Sequence, residues 1–267
     1  MQEGNRIPTR RSEVKVAGLL YHHVGPRRPG TLPSLTVSPE AFERHLNWLK
    51  HAGYTAIAPS EWLAYAREGK QLPQKPVVLT FDDGYADLVQ YAVPALQRHG
   101  FKAAIYVVTD RLGGCNEWDM ANGSGPHRLL TAQQVKGCAE SGIEIGAHTC
   151  THPDLTTVSP DVLYHEVQRS AVCLRELIGS DPISFAYPFG FHNAAVRKVV
   201  AGFFPMAWTV EEGRNDPRTD LHGLRRTMVQ AGDTFADFML RVRFGASHIE
   251  RLRLQVARWR GRIPASH

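Results

Sequence analysis

The chain has 267 residues, 43% of them hydrophobic, four cysteines and a formal net charge of +5. That is enough apolar material for one sizeable α/β domain, and the charge is too mild to argue for a nucleic-acid partner, so none is expected. Cys115, Cys138, Cys150 and Cys173 include no CxxC pair, which argues against a structural zinc site.

In chain order, MQEGNRIPTRRSEV is a polar start without the apolar centre of a signal peptide. No apolar run approaches the roughly 18 residues of a spanning helix, so a cytoplasmic or peripheral-membrane location is expected. VAGLLYHHV is a short strand entering a histidine pair. SPEAFERHLNWLKHAG is a helix, with Ser38 as N-cap, Pro39 at the first position, and Phe42, Leu46 and Leu49 on one face. YTAIAP is a strand, SEWLAYAREG a helix and PVVLTF a buried strand. YADLVQYAVPALQRHG is read as one helix containing Pro94, and KAAIYVV as a strand. Thr131 and Gln134 form a capping box. IEIGAH, ISFAYP, FPMAWTV and LRRTMV follow as strands, with helices from Ser159 and near Asn193. Repeated strand–helix units imply a parallel sheet, either a closed barrel or an open doubly wound one. In both, chemistry gathers at the C-terminal strand ends.

Two clusters fall there. TFDDGY places Asp82 and Asp83 where an apolar strand runs out. GAHTCTHPDL places His148 and His152 at the end of another, in a segment read as a tight loop because Pro153 follows at once. Two histidines and a carboxylate are a ligand set for a catalytic divalent metal with open positions. Successive side chains on extended backbone point opposite ways, so the two aspartates need not share a role. One can ligate while the other serves as general base toward a water. Taken singly, DDG can be no more than a helix cap and HxxxH no more than surface histidines. Their joint occurrence at strand ends favours the metal.

Together, TFDDGY and HTCTH resemble the polysaccharide deacetylase family, the NodB-homology group or carbohydrate esterase family 4, over about Val16 to Gln230. LLYHHVGP, LTVSPEAFERHLNWLKHAGY and FAYPFG resemble its branch of biofilm poly-N-acetylglucosamine deacetylases. The resemblance implies a distorted (β/α) barrel of seven or eight strands and hydrolysis of an N-acetyl group on an amino sugar. By position it makes Asp82 the base, and Asp83, His148 and His152 the ligands of a divalent metal, with zinc the expected ion. It assigns oxyanion stabilisation to the backbone N–H at Phe189. The family's motif arginine is replaced by Ala186, and its late histidine motif has no clean match. Arg226 in LRRTMV is expected to turn inward and hold Asp82 in the missing arginine's place, with Arg225 outward. His22 and His222 are the candidates for the acid. Tyr85 and Trp118 are candidate substrate contacts.

The domain reading is a polar tail over 1–13, the deacetylase-like catalytic domain over 14–230, and a basic helical extension over 231–267. SHIERLRLQVARWRGR in that extension is read as an amphipathic helix docked on the barrel, with contact to an anionic membrane surface as the second reading. The expected partner is an N-acetylated glycan or glycolipid. Two rivals stand beside this: a non-carbohydrate C–N amidase on the same fold, and a catalytically impaired carbohydrate-binding homologue.

Overall fold

The computed structural model describes residues 14–27, 34–120, 125–247 and 249. In chain order the elements are β1 (Val16–Tyr21), β2 (His23–Val24), β3 (Thr36–Val37), α1 (Pro39–His51), β4 (Thr55–Ile57), α2 (Pro59–Glu68), β5 (Pro76–Phe81), α3 (Asp87–Gln90), α4 (Ala92–His99), β6 (Ala104–Val107), α5 (Glu117–Met120), α6 (Ala132–Glu140), β7 (Glu144–Ala147), α7 (Pro160–Ile178), β8 (Ser184–Ala186), α8 (Ala194–Ala201), β9 (Met206–Trp208), β10 (Arg214–Asn215), β11 (Thr227–Met228) and α9 (Phe235–Phe244).

Parallel pairing runs from β1 to β5, β6, β7, β8 and β9. The sheet then curls back on itself. Trp208 of β9 bridges in parallel to Leu224, and β11, three residues on, pairs in parallel with β1. The segment 224–228 therefore joins the last strand to the first. β4 pairs only with the start of β5, and β10 runs antiparallel against the start of β1. The result is a distorted (β/α) barrel.

The strand alternation sorts side chains into two cores. Val77, Leu79 and Phe81 of β5 face outward to pack under the helices, with Leu46, Leu96 and Val167 among their cluster. Val78 faces inward with Ala104, Tyr106, Ala186, Trp208 and Leu224. Gly18 of β1 belongs to this inner layer for a steric reason: a Cβ there would stand 2.9 Å from the Arg225 carbonyl and 3.0 Å from Arg226 Cγ. The missing side chain leaves the lane that Arg226 occupies.

Helix ends follow the chemistry of their caps. Ser38, Ser159 and Asn193 cap α1, α7 and α8, and Thr131 with Gln134 forms the capping box of α6. The single helix expected around Pro94 is instead two, α3 and α4, broken at Tyr91. Proline has no N–H to give the carbonyl of residue 90 and its ring crowds that position, so the helix restarts with Pro94 in its first turn.

α9 and its flanks belong to the domain rather than to an appendage. Asp237, Phe238, Arg241, Val242 and Ser247 are buried, and Phe238 and Val242 share the outer core with Leu19 and Tyr21. The boundary expected after residue 230 falls just ahead of this packed helix. The basic segment beyond residue 247 lies, but for Ile249, outside the described residues. Among the described residues no helix is long and apolar enough to cross a membrane.

Candidate active site

Asp82 leaves β5 on the inward side, in line with Val78 and Thr80. Arg226, on the inward side of 224–228, meets it. Arg226 Nη1 donates to Asp82 Oδ1 at 2.6 Å and Nη2 to Oδ2 at 2.7 Å. Nε donates to the Thr209 carbonyl at 3.0 Å and Nη1 also to Thr80 Oγ1 at 3.1 Å. The guanidinium carbon lies 5.6 Å from the centre of the Tyr106 ring. Arg226 is 0% exposed, whereas Arg225 is exposed. Two parallel bonds fix the plane of the carboxylate as well as its position.

Alternation alone would send Asp83 to the other side. It does not, because Asp83 adopts φ 70°. Four non-glycine residues among the described ones have positive φ: Asp83, Thr149, His152 and Phe189. Three of these were singled out by the sequence and the fourth follows His148. The left-handed region is costly for such residues and collects at functional sites.

The turn at Asp83 brings its Oδ1 to 3.3 Å from His148 Nε2 and 3.4 Å from His152 Nε2, and the two Nε2 atoms are 3.2 Å apart. His148 Nδ1 bonds the Ala186 carbonyl at 2.7 Å, which places the proton on Nδ1 and leaves the Nε2 lone pair facing Asp83. All three side chains are buried, and among the described residues this is the group whose donor atoms converge as a metal site requires. Two ring nitrogens and a carboxylate oxygen crowded together in a buried spot fit a divalent cation. Burial alone would raise the Asp83 carboxyl, but the bonds from His148 and His152 outweigh it and hold it well below the usual carboxylate range. Burial works to lower both imidazoles. It prevails at His152, while at His148 the Asp83 bond and the charges of Asp82 and Asp83 win and raise it.

The pocket over this group is lined by His22, Leu35, Trp118, Asp119, Tyr187, Phe189, Gly190, Val210 and Met228 with the four polar residues above, and measures about 220 Å³. Trp118 stacks on one side of His152, with centroids 4.3 Å apart, and the Phe189 ring meets it edge-on at 4.6 Å. His22 lines the pocket, and burial lowers it below its ordinary value.

Residues 69–203 match the family model described as Polysaccharide deacetylase. The chain belongs to this family. It is an enzyme, a deacetylase acting on amide C–N bonds. YxkH of Bacillus subtilis (strain 168), named for the same family, is 29% identical over 220 residues, 82% of this chain and 73% of that one. The Streptococcus pyogenes deacetylase PplD in complex with acetate superposes with a TM-score of 0.72 at 28% identity, covering 83% of this chain and 95% of its own. The poly-beta-1,6-N-acetyl-D-glucosamine N-deacetylase of Staphylococcus aureus (strain MRSA252) is 22% identical over 221 residues, 79% of this chain and 73% of that one.

Two expected site residues lie elsewhere in this deacetylase. His222 does not line the pocket: its Nε2 is bonded to the Phe204 carbonyl ahead of β9 and its own carbonyl is taken by Tyr187 Oη. Tyr85 is 1% exposed, so its ring cannot serve as a sugar platform. Its hydroxyl donates to Asp119 Oδ2 at 3.1 Å, and His23 stacks on the ring. Asp119 itself carried no sequence signal, since it lies in the four-residue helix α5 with no spacing to mark it. Glu166 was also missed, although it had one: it stands on the buried stripe of α7 with Leu163, Val167, Ser170, Ala171 and Leu174, where an apolar side chain is expected.

Proposed function

We propose that this deacetylase removes N-acetyl groups from amino sugars of a glycan or glycolipid, using a divalent metal held by Asp83, His148 and His152, with zinc as the ion. The observation that carries the reading is Asp82, held from behind by the Arg226 fork, lining one pocket with that ligand group. The relation to a poly-N-acetylglucosamine deacetylase supports a glycan substrate.

A bound metal ion would polarise the acetyl carbonyl and make water more acidic. Asp82, aimed by Arg226, takes a proton from water as its oxygen attacks the carbonyl carbon. Phe189, which lines the pocket with a φ of 57°, is assigned the backbone N–H that stabilises the oxygen gaining charge. The amide nitrogen must gain a proton before the C–N bond breaks, and then leaves as the amine while acetate remains. Besides the proposed ligands, the carboxylate and imidazole groups lining the pocket are Asp82, His22 and Asp119, the last taken by the Tyr85 hydroxyl. Burial lowers His22 below its ordinary value, which disfavours it as the proton donor, so Asp82 returns the proton it took from water to the amide nitrogen. Trp118 and Phe189 offer apolar faces for the acetyl methyl and the sugar ring.

Acetate release tests this over a panel of N-acetylated glycans, glycolipids and simple aryl acetamides. Turnover of the glycans above the acetamides is expected. Preference for the acetamides would make the protein a non-carbohydrate amidase. Binding without release would make it a carbohydrate-binding homologue.

A further inference from the structure

We propose that Glu166, in the middle of α7, is a positioning residue for the metal site, a role that rests on the ligand reading above. Its carboxylate sets the backbone between His148 and His152 so that both Nε2 atoms face Asp83.

Glu166 is 4% exposed and reaches the loop with both oxygens. Oε2 accepts the N–H of Cys150 at 2.8 Å and of Thr151 at 2.9 Å, and Oε1 accepts the Thr151 hydroxyl at 2.6 Å. Cys150 Sγ lies 3.5 Å from the Glu166 carbonyl. The two pinned N–H groups stand between Thr149 and His152, whose φ angles are 67° and 66°. A left-handed pair this close persists only when its surroundings over-determine it. The rest of the loop is held as well: Thr149 Oγ1 accepts the His152 N–H at 2.9 Å, and the carbonyls of Thr149 and Cys150 accept from Thr109 and Asp110. Loop strain is thus converted into the convergence of two imidazoles.

Packing does not explain this residue. The same α7 stripe carries Leu163, Val167 and Leu174, and an aliphatic side chain would fill the position. Among the described residues no Lys, Arg or His lies within ion-pair distance of the Glu166 carboxylate. A buried carboxylate in that setting depends on hydrogen-bond donors. The donors here all belong to the histidine loop.

The test is zinc affinity by chelator competition, on full-length wild type, Glu166→Leu, Glu166→Gln and His148→Ala, with circular dichroism and melting temperature recorded alongside. Glu166→Leu should raise the zinc Kd about 10–100-fold, the usual effect of losing an outer-shell partner. Glu166→Gln should fall between, since its amide oxygen still accepts while its NH₂ opposes a backbone N–H. A lowered melting temperature with wild-type zinc Kd in both Glu166 variants would reduce Glu166 to a packing role and overturn the proposal. If Glu166→Leu does not fold, Thr151→Val replaces it, and an unchanged Kd there and in Glu166→Gln overturns the proposal equally. Should His148→Ala bind zinc as tightly as wild type, the ligand reading falls first and this inference with it.

Discussion

Arg226 and Asp82 are 144 residues apart in sequence and face each other as a closed fork, with bonds of 2.6 and 2.7 Å inside the barrel. The pair bridges the two neighbours of β1, because Asp82 follows β5 on one side of it and Arg226 precedes β11 on the other, in the segment that closes the ring. One interaction therefore ties barrel closure to the aim of the proposed base. Lysine cannot reproduce it, since a single ammonium offers a point charge without a fixed plane.

Arg226→Lys is expected to fold and to lose at least about tenfold in kcat, with the metal content of wild type. Arg226→Ala is expected to cost stability as well, about 3–5 kcal/mol, as when one partner of a buried pair is removed. Denaturant unfolding and turnover together check both. Wild-type kcat in Arg226→Lys would show that the fork does not position the base.

Asp82→Asn keeps the size of the side chain and removes its ability to take a proton. Turnover should fall by about 10²–10⁴, the range of general-base catalysis, while metal content stays unchanged because Asp83, His148 and His152 are intact. Loss of the metal in this variant would instead make Asp82 a ligand.

Much of this site was legible in the sequence, for definite reasons. Asp82, Asp83, His148 and His152 stood out because strand ends and close spacing are local features. Arg226 was legible in two steps: alternation sets it with Met228 on the side opposite Arg225, and the family resemblance, not the alternation, selects it as the inward one. His222 misled because a histidine near the right place in the sequence says nothing about whether its ring turns into the pocket or, as here, onto the Phe204 carbonyl. Tyr85 misled for a related reason, since burial depends on the elements stacked over it. The positive φ of Asp83 was not read from TFDDGY: Asp-Gly marks a turn, but not that Asp83 itself takes the left-handed conformation that sets both aspartates on one pocket.

His45 gives a stability prediction outside the metal group. It stacks on Phe238 with centroids 3.9 Å apart and meets Tyr21 Oη at 3.3 Å. Burial, with a smaller push from Arg44, lowers it from 6.5 to about 3. The folded state thus holds His45 neutral while the unfolded chain takes a proton below its ordinary value. Its stability contribution is complete above pH 6.5 and is lost as pH falls toward 3, at about 1.4 kcal/mol per unit. His45→Gln should flatten the loss of unfolding free energy between pH 6.5 and 4. An unchanged slope would place the acid-sensitive proton elsewhere.

The last prediction concerns α9. Arg241 is 1% exposed and pairs with both oxygens of Asp233, through Nε at 2.9 Å and Nη2 at 3.1 Å. Its Nη1 donates to Thr227 Oγ1 at 2.9 Å, one residue from Arg226. Phe238, at 0% exposure, contributes about 1.5–3 kcal/mol by burial alone. A chain ended after Gln230 loses this helix, exposes the outer face of β1 and leaves β11 without its anchor. It should fail to fold as a monomer, or melt far below the full chain, and release no acetate. Arg241→Met in the full chain separates the two effects. Methionine keeps most of the apolar contact but leaves Asp233 buried without its cation, so stability should fall by about 3–5 kcal/mol, and kcat should fall too if Thr227 carries the disturbance to Arg226. A chain of residues 1–230 that folds and turns over like wild type would show that the barrel closes without α9.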